Sequence, residues 1–156
     1  MSASVAYQLP GFGLKGQAAA NWLLEQGIDL PQQPNTWLTM PDQSLVLRLG
    51  RSEFLLQGPV ATRLESIWQG GRELYRVPRY DATFELKGEK VPALLQEICT
   101  LDTRPEAMAG QVLMMLAAGI SVMLICETGN AGPIYRLWCD GTYGDYLGDC
   151  LQQILD

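Results

Sequence analysis

Phe12-Gly13-Leu14-Lys15-Gly16 returns 72 residues later as Phe84-Glu85-Leu86-Lys87-Gly88. Both copies place apolar residues at every second position, the period of a half-buried strand. Both end on a glycine, the residue that lets a chain turn sharply from a strand into a helix. The downstream segments repeat as well. After the first copy, residues 17–26 carry Ala19, Trp22, Leu23 and Gln26 at helical spacing, and Gly27 is a natural stop. Strands are expected over 37–40 and 45–49, around the turn residues Pro41-Asp42-Gln43, and over 53–56. Pro59 then opens a helix whose apolar stripe is Val60, Leu64, Ile67 and Trp68.

The second copy, read as a strand over 83–87, is followed by a helix over 91–99 with Leu94, Leu95 and Ile98 inward. Strands are expected over 112–116, 120–126 and 134–139, and a closing helix over 142–154 lined by Tyr143, Leu147, Cys150, Leu151 and Ile154. Each half reads β-α-β-β-β-α. The expected fold is α+β: one domain, 1–156, made of two pseudo-symmetric halves at about 10–70 and 80–156. With the halves aligned element by element, Leu45 answers to Ile120 and Trp68 to Leu151. Residues 1–9 are small and polar and are expected to fray. The join, 70–80, is rich in Gly, Arg and Tyr.

Composition narrows the chemistry. With 47% apolar residues the chain can fill an interior. The net charge is −6 and the 11 basic residues are scattered, which disfavours nucleic acid as a partner. No apolar run approaches the ~20 residues of a membrane span, and the first residues do not resemble a signal peptide. No membrane association and a cytoplasmic location are therefore expected. There is no histidine, so Ser-His-Asp and Cys-His nucleophiles and His-ligated metals are excluded. Cys99, Cys126, Cys139 and Cys150 form no CxxC pair, and read as buried reduced thiols; no metal site is expected.

Few residues stand out as candidates for binding. Gly11, Gly13 and Gly16 match GxGxxG nominally, but they flank a strand where the dinucleotide fingerprint must follow one. Arg79-Tyr80-Asp81 could grip a ligand carrying both a carboxylate and an amine, or be an ordinary surface ion pair at a strand entry. Arg48 and Arg136 interrupt apolar strands, and either face solvent or sit on a binding face. Trp22 and Trp68 lie on helical stripes and read as core. Trp37 and Trp138 sit in strands beside turns, where they could stack on a flat ligand or anchor a protein interface. Glu25, Asp29, Glu65, Asp145 and Asp149 read as solvated charges, and no pair of carboxylates is placed for acid–base work. No catalytic residue is assigned.

Several stretches resemble a known family. The run 12–19, continuing to Leu30-Pro31 and Pro34-Asn35, resembles the start of folate-binding aminomethyltransferase-like domains. The stretch 45–56 resembles their LRLGxxEFLL element. Residues 82–88, 109–113, 118–122 and 143–147 are similar to the gamma subunit of heterotetrameric sarcosine oxidase. The resemblance implies the pseudo-symmetric fold of the glycine-cleavage aminomethyltransferase. It also implies a small partner chain, without a cofactor of its own, in a complex that oxidises N-methyl amino acids. The Lys-Gly-Cys-aromatic-x-Gly-Gln-Glu signature of related iron–sulfur-assembly proteins is not matched, because Lys15-Gly16-Gln17 and Lys87-Gly88-Glu89 lack the cysteine. The expected function is thus a non-catalytic accessory subunit with protein partners. The alternative is a free-standing protein of folate binding or one-carbon transfer. There, tetrahydrofolate would stack on Trp37 or Trp138 and pair its glutamate tail with Arg48, Arg79 or Arg136.

Overall fold

The computed structural model describes residues 2–7 and 10–155, with side chains from 10 to 154. The chain divides into two compact units, one of Leu9–Arg79 and one of Tyr80–Asp156 completed by Met1–Gln8.

The first unit contains β2 (Gly11–Lys15), α1 (Ala19–Glu25), β3 (Thr36–Thr39), β4 (Leu45–Gly50), β5 (Glu53–Gln57), α2 (Pro59–Ile67) and β6 (Tyr75–Val77). Its antiparallel sheet runs β3-β4-β5-β2-β6. The second contains β1 (Ser2–Tyr7), β7 (Asp81–Lys87), α3 (Val91–Ile98), β8 (Leu113–Ala117), β9 (Ile120–Gly129), β10 (Gly132–Asp140) and α4 (Gly144–Leu155), with the order β1-β7-β10-β9-β8. Matched element by element, β3, β4, β5, β2 and β6 take the places of β8, β9, β10, β7 and β1. The duplicated architecture is therefore the same α+β sheet built twice.

The repeated pentapeptide seeds each core. Phe12 pairs with Leu56 across β2 and β5, and Phe84 with Leu137 across β7 and β10. Phe12, Leu14, Val46, Phe54 and Leu56 form the covered face in the first unit, under Ala19 and Leu23 of α1 and Val60, Ala61 and Leu64 of α2. Phe84, Leu86, Leu124, Tyr135 and Leu137 do so in the second, under Leu94 and Leu95 of α3 and Leu147 and Leu151 of α4. Alternation along each strand puts these side chains on one face. The opposite faces are buried too, through Leu45, Leu47 and Leu55 in the first sheet and Thr83, Ile125 and Trp138 in the second. Gly16 and Gly88 stand at φ 124° and 130°. A β-carbon on Gly16 would lie only 2.2 Å from the Glu73 carbonyl oxygen. The glycine at the end of the motif is a steric requirement of the turn.

Several sequence expectations are corrected. Ser2–Tyr7 is an edge strand paired with β7, so these small residues do not fray; Met1, Gln8 and Leu9 lie outside the described residues. The join contains a strand, β6, which pairs with β2. Each sheet thus takes its fifth strand from the segment just before a repeat. That before the second repeat joins the first sheet, and that before the first joins the second. Strand register equates Val46 with Leu124, because each lies opposite the leucine (Leu56, Leu137) that faces the repeated phenylalanine. The buried helix positions equate Leu64, not Trp68, with Leu151. Ile67, Tyr143 and Ile154 are exposed, because they sit at helix ends beyond the residues that cover the sheet.

Candidate functional site

Strand geometry separates the two candidates of the first unit. Arg48 pairs with Thr36 and Trp37 with Leu47, so Trp37 and Arg48 point to opposite faces of the sheet. The Arg48 guanidinium donates to the carbonyls of Pro31 (2.8 Å) and Arg51 (2.7 Å) and lies 5.1 Å above the Phe54 ring. Its hydrogen bonds tie the 31–35 loop and the β4–β5 turn to the sheet, while its buried Nε has no hydrogen-bond partner. Trp37, half-buried on edge strand β3, has an indole nitrogen without a hydrogen-bond partner.

In the second unit, one sheet face gathers Asp81, Thr83, Glu85 and Lys87 of β7 with Arg136 and Trp138 of β10. Glu85 stands at the centre of a line of charge. Its carboxylate is 2.7 Å from Lys87 Nζ and 3.0 Å from Arg136 Nη1, and Arg136 Nη2 reaches Glu127 at 3.5 Å. The Lys87 ammonium and then the Arg136 guanidinium hold the Glu85 carboxyl below the usual carboxylate range, against a partial opposing effect of burial. Arg136 is thus neutralised within the sheet. Trp138 is 1% exposed and presents no face to a flat ligand.

The Arg79-Tyr80-Asp81 run straddles the unit boundary. The Arg79 side chain packs over Gly13, its Cγ 3.1 Å from where a β-carbon of Gly13 would sit. Tyr80 is 79% exposed, and its carbonyl accepts from the Gly141 N–H at 2.8 Å. Asp81 starts β7 opposite Asp140.

Sequence reading missed two matching grooves at the ends of the repeated motif. Lys87 and Gly88 face the 129–134 hairpin across a groove of about 490 Å³. Lys15, Gly16 and Gln17 face Ser52, Glu53 and Tyr75 across one of about 320 Å³. The signal was present, because Lys-Gly closes both copies of the pentapeptide. Each groove offers one lysine and a largely apolar wall, which suits contact more than chemistry.

The nucleophile candidates are quiescent. Burial pushes the Cys99 and Cys139 thiols up to about 11, with Asp81 and Asp140 adding to the effect at Cys139. Burial also raises Cys126 and Tyr135, and the Tyr135 hydroxyl donates to the Thr103 carbonyl at 2.7 Å. A thiol held protonated is the reverse of an activated one. Among the described residues no group of three or more Cys, Asp or Glu side chains could hold a metal ion, and no helix is long and apolar enough to cross a membrane.

No protein-family model and no curated protein matches this chain. Among solved structures, the fold is similar to a chain of the heterotetrameric sarcosine oxidase from Corynebacterium sp. U-96, determined in complex with pyrrole 2-carboxylate. The two share 18% sequence identity and a TM-score of 0.68, over 92% of this chain and 78% of the other. The α+β architecture of this protein is that of a sarcosine oxidase chain.

Proposed function

We propose that this protein is an accessory subunit of an amine-oxidising complex of the sarcosine oxidase type, with no catalytic machinery and no cofactor of its own. The observation that carries the reading is the fold shared with a heterotetrameric sarcosine oxidase chain over 92% of this one. Two features support it. The Cys99 and Cys139 thiols are held protonated by burial, and Arg48 and Arg136, two of the charges the sequence offered for a binding face, are engaged within their own units. Such a chain works by contact. Its partners are the flavin- or folate-carrying subunits, in the cytoplasm.

The test is affinity purification of the tagged chain from its native host. It should elute with other subunits and with sarcosine-dependent oxidase activity that the isolated chain lacks. Elution alone at monomer size would sink the reading. Calorimetry with tetrahydrofolate separates it from the one-carbon alternative. The isolated chain should give no binding heat, whereas an affinity lost in Arg79→Ala would establish the folate reading in its place.

A further inference from the structure

A sheet ends in edge strands, whose outer main-chain groups have no partner within the sheet. The second unit covers one of its edges with its own chain. Cys99 pairs antiparallel with Ala117 of β8. The Thr100 N–H donates to the Leu116 carbonyl at 3.2 Å, and the Ala118 N–H to the Ile98 carbonyl at 3.0 Å. The Leu116 N–H in turn donates to Thr100 Oγ1 at 3.3 Å. The stretch after α3 therefore lies along the outer side of β8. In the first sheet the matching edge strand is β3. Under the shift of 72 between the repeated motifs, Ile98 to Thr100 answer to Gln26 to Ile28. These residues wind back on α1 instead. The Gln26, Gly27 and Ile28 N–H groups donate to the Trp22, Leu24 and Leu23 carbonyls.

The register of β3 says which groups this leaves open. Trp37 pairs with Leu47, Leu38 with Val46 and Thr39 with Leu45. The Met40 N–H donates to the Ser44 carbonyl at 2.8 Å, so position 40 turns its main chain toward β4. Antiparallel ladders alternate. Leu38 therefore turns its N–H and carbonyl toward β4 as well, and Trp37 and Thr39 turn theirs outward. Among the described residues nothing bonds to them there. The strand, Thr-Trp-Leu-Thr, is built of strand-forming residues and carries neither the lysine nor the proline that ordinarily guards an edge. We propose that the outer edge of β3 takes an extended strand of another subunit, bonded through the Trp37 and Thr39 main chain. A second copy of this chain is the poorer occupant. Four residues span about 14 Å, and two such edges would share about four main-chain hydrogen bonds, whereas a stable dimer buries about 1,200 Å² or more. The net charge of −6 opposes self-association further. A larger partner supplies the missing area elsewhere on its surface. The proposal rests on the subunit reading above and names the strand through which the subunit is held.

The test is hydrogen exchange resolved to single amides, on the isolated chain and on the complex purified from the native host. In the isolated chain the Leu38 amide should be protected, while those of Trp37 and Thr39 exchange freely. In the complex the Trp37 and Thr39 amides should slow by about tenfold or more. Thr39 is exposed. Thr39→Pro removes one outward donor and leaves the β4 ladder intact, so it should weaken assembly by about tenfold or more with unchanged circular dichroism. Thr39→Val keeps the N–H and should assemble as the wild type does. The exchange measurement needs no variant, so it decides the matter even where Thr39→Pro fails to fold. A complex in which both amides exchange freely overturns the proposal and leaves the subunit reading standing. Protection of these amides in the isolated chain overturns it too, and protection that rises with concentration assigns the edge to a second copy. A chain that elutes alone overturns both.

Discussion

Removing the Arg136 charge tests whether the line Lys87–Glu85–Arg136–Glu127 stabilises the sheet or merely fits within it. The side chains of Arg136, Glu85 and Glu127 are 20%, 18% and 20% exposed, so their charges are largely out of water. Arg136→Leu takes the arginine away from both Glu127 and Glu85, while Lys87 stays beside Glu85. Breaking a fully buried pair costs about 3–5 kcal/mol; with partial exposure and Lys87 still in place, about 2 kcal/mol is expected here. The first sheet puts an apolar residue where the second has Arg136. Leu55 pairs with Gly13 as Arg136 pairs with Glu85. Glu85→Ala/Glu127→Leu/Arg136→Leu should therefore recover most of the loss and fall within about 1 kcal/mol of wild type. The pH dependence has a definite sign. Glu85 has a depressed folded-state value, so its contribution is present above its unfolded value, near 4.5, and is lost as pH falls through the folded value. The penalty of Arg136→Leu should therefore shrink in acid, where the Glu85 carboxylate takes up a proton. Urea unfolding at neutral and acid pH measures both. A single variant costing under about 0.5 kcal/mol, or a triple variant as unstable as the single one, would refute the reasoning.

Other expectations are more local. Gly16→Ala should cost more than about 2 kcal/mol by denaturant unfolding, since it joins a positive φ to a collision with the Glu73 carbonyl; a near-neutral variant would mean the turn relaxes. Arg76 lies 3.8 Å over the Phe12 ring and 2.6 Å from Glu65, with Trp68 and Trp22 beside Phe12. Arg76→Gln should cost about 1–2 kcal/mol and change tryptophan emission, and an unchanged spectrum would count against the stacked geometry. Cys139 is 2% exposed with its thiol raised to about 11. In the native chain it should resist iodoacetamide near pH 8 and react only after unfolding, so rapid native labelling would contradict that burial.

How far the residues themselves could be read is clearest at the repeat. Local alternation, helical stripes and turn glycines act over a few neighbouring positions, so the β-α-β-β-β-α order was legible. So was the steric need for Gly16 and Gly88. The edge strands β1 and β6 were not, because a three-residue strand, or one built mostly of serine and alanine, carries little local signal and is ordered by the neighbour that supplies its hydrogen bonds. Arginine in an apolar strand was equally ambiguous. Arg48 could be understood only once the Pro31 and Arg51 carbonyls stood beside it, and Arg136 only once Glu85 and Glu127 did. Trp138 and Trp37 looked alike in sequence, yet one lies on a central strand and is buried while the other sits at an edge. Local sequence thus determined which segments become strands and helices and which side of each is apolar. Tertiary structure decided which strands are neighbours, and therefore which charges are neutralised and which apolar side chains remain exposed. Pairing between distant segments depends on partners that no short window of sequence contains.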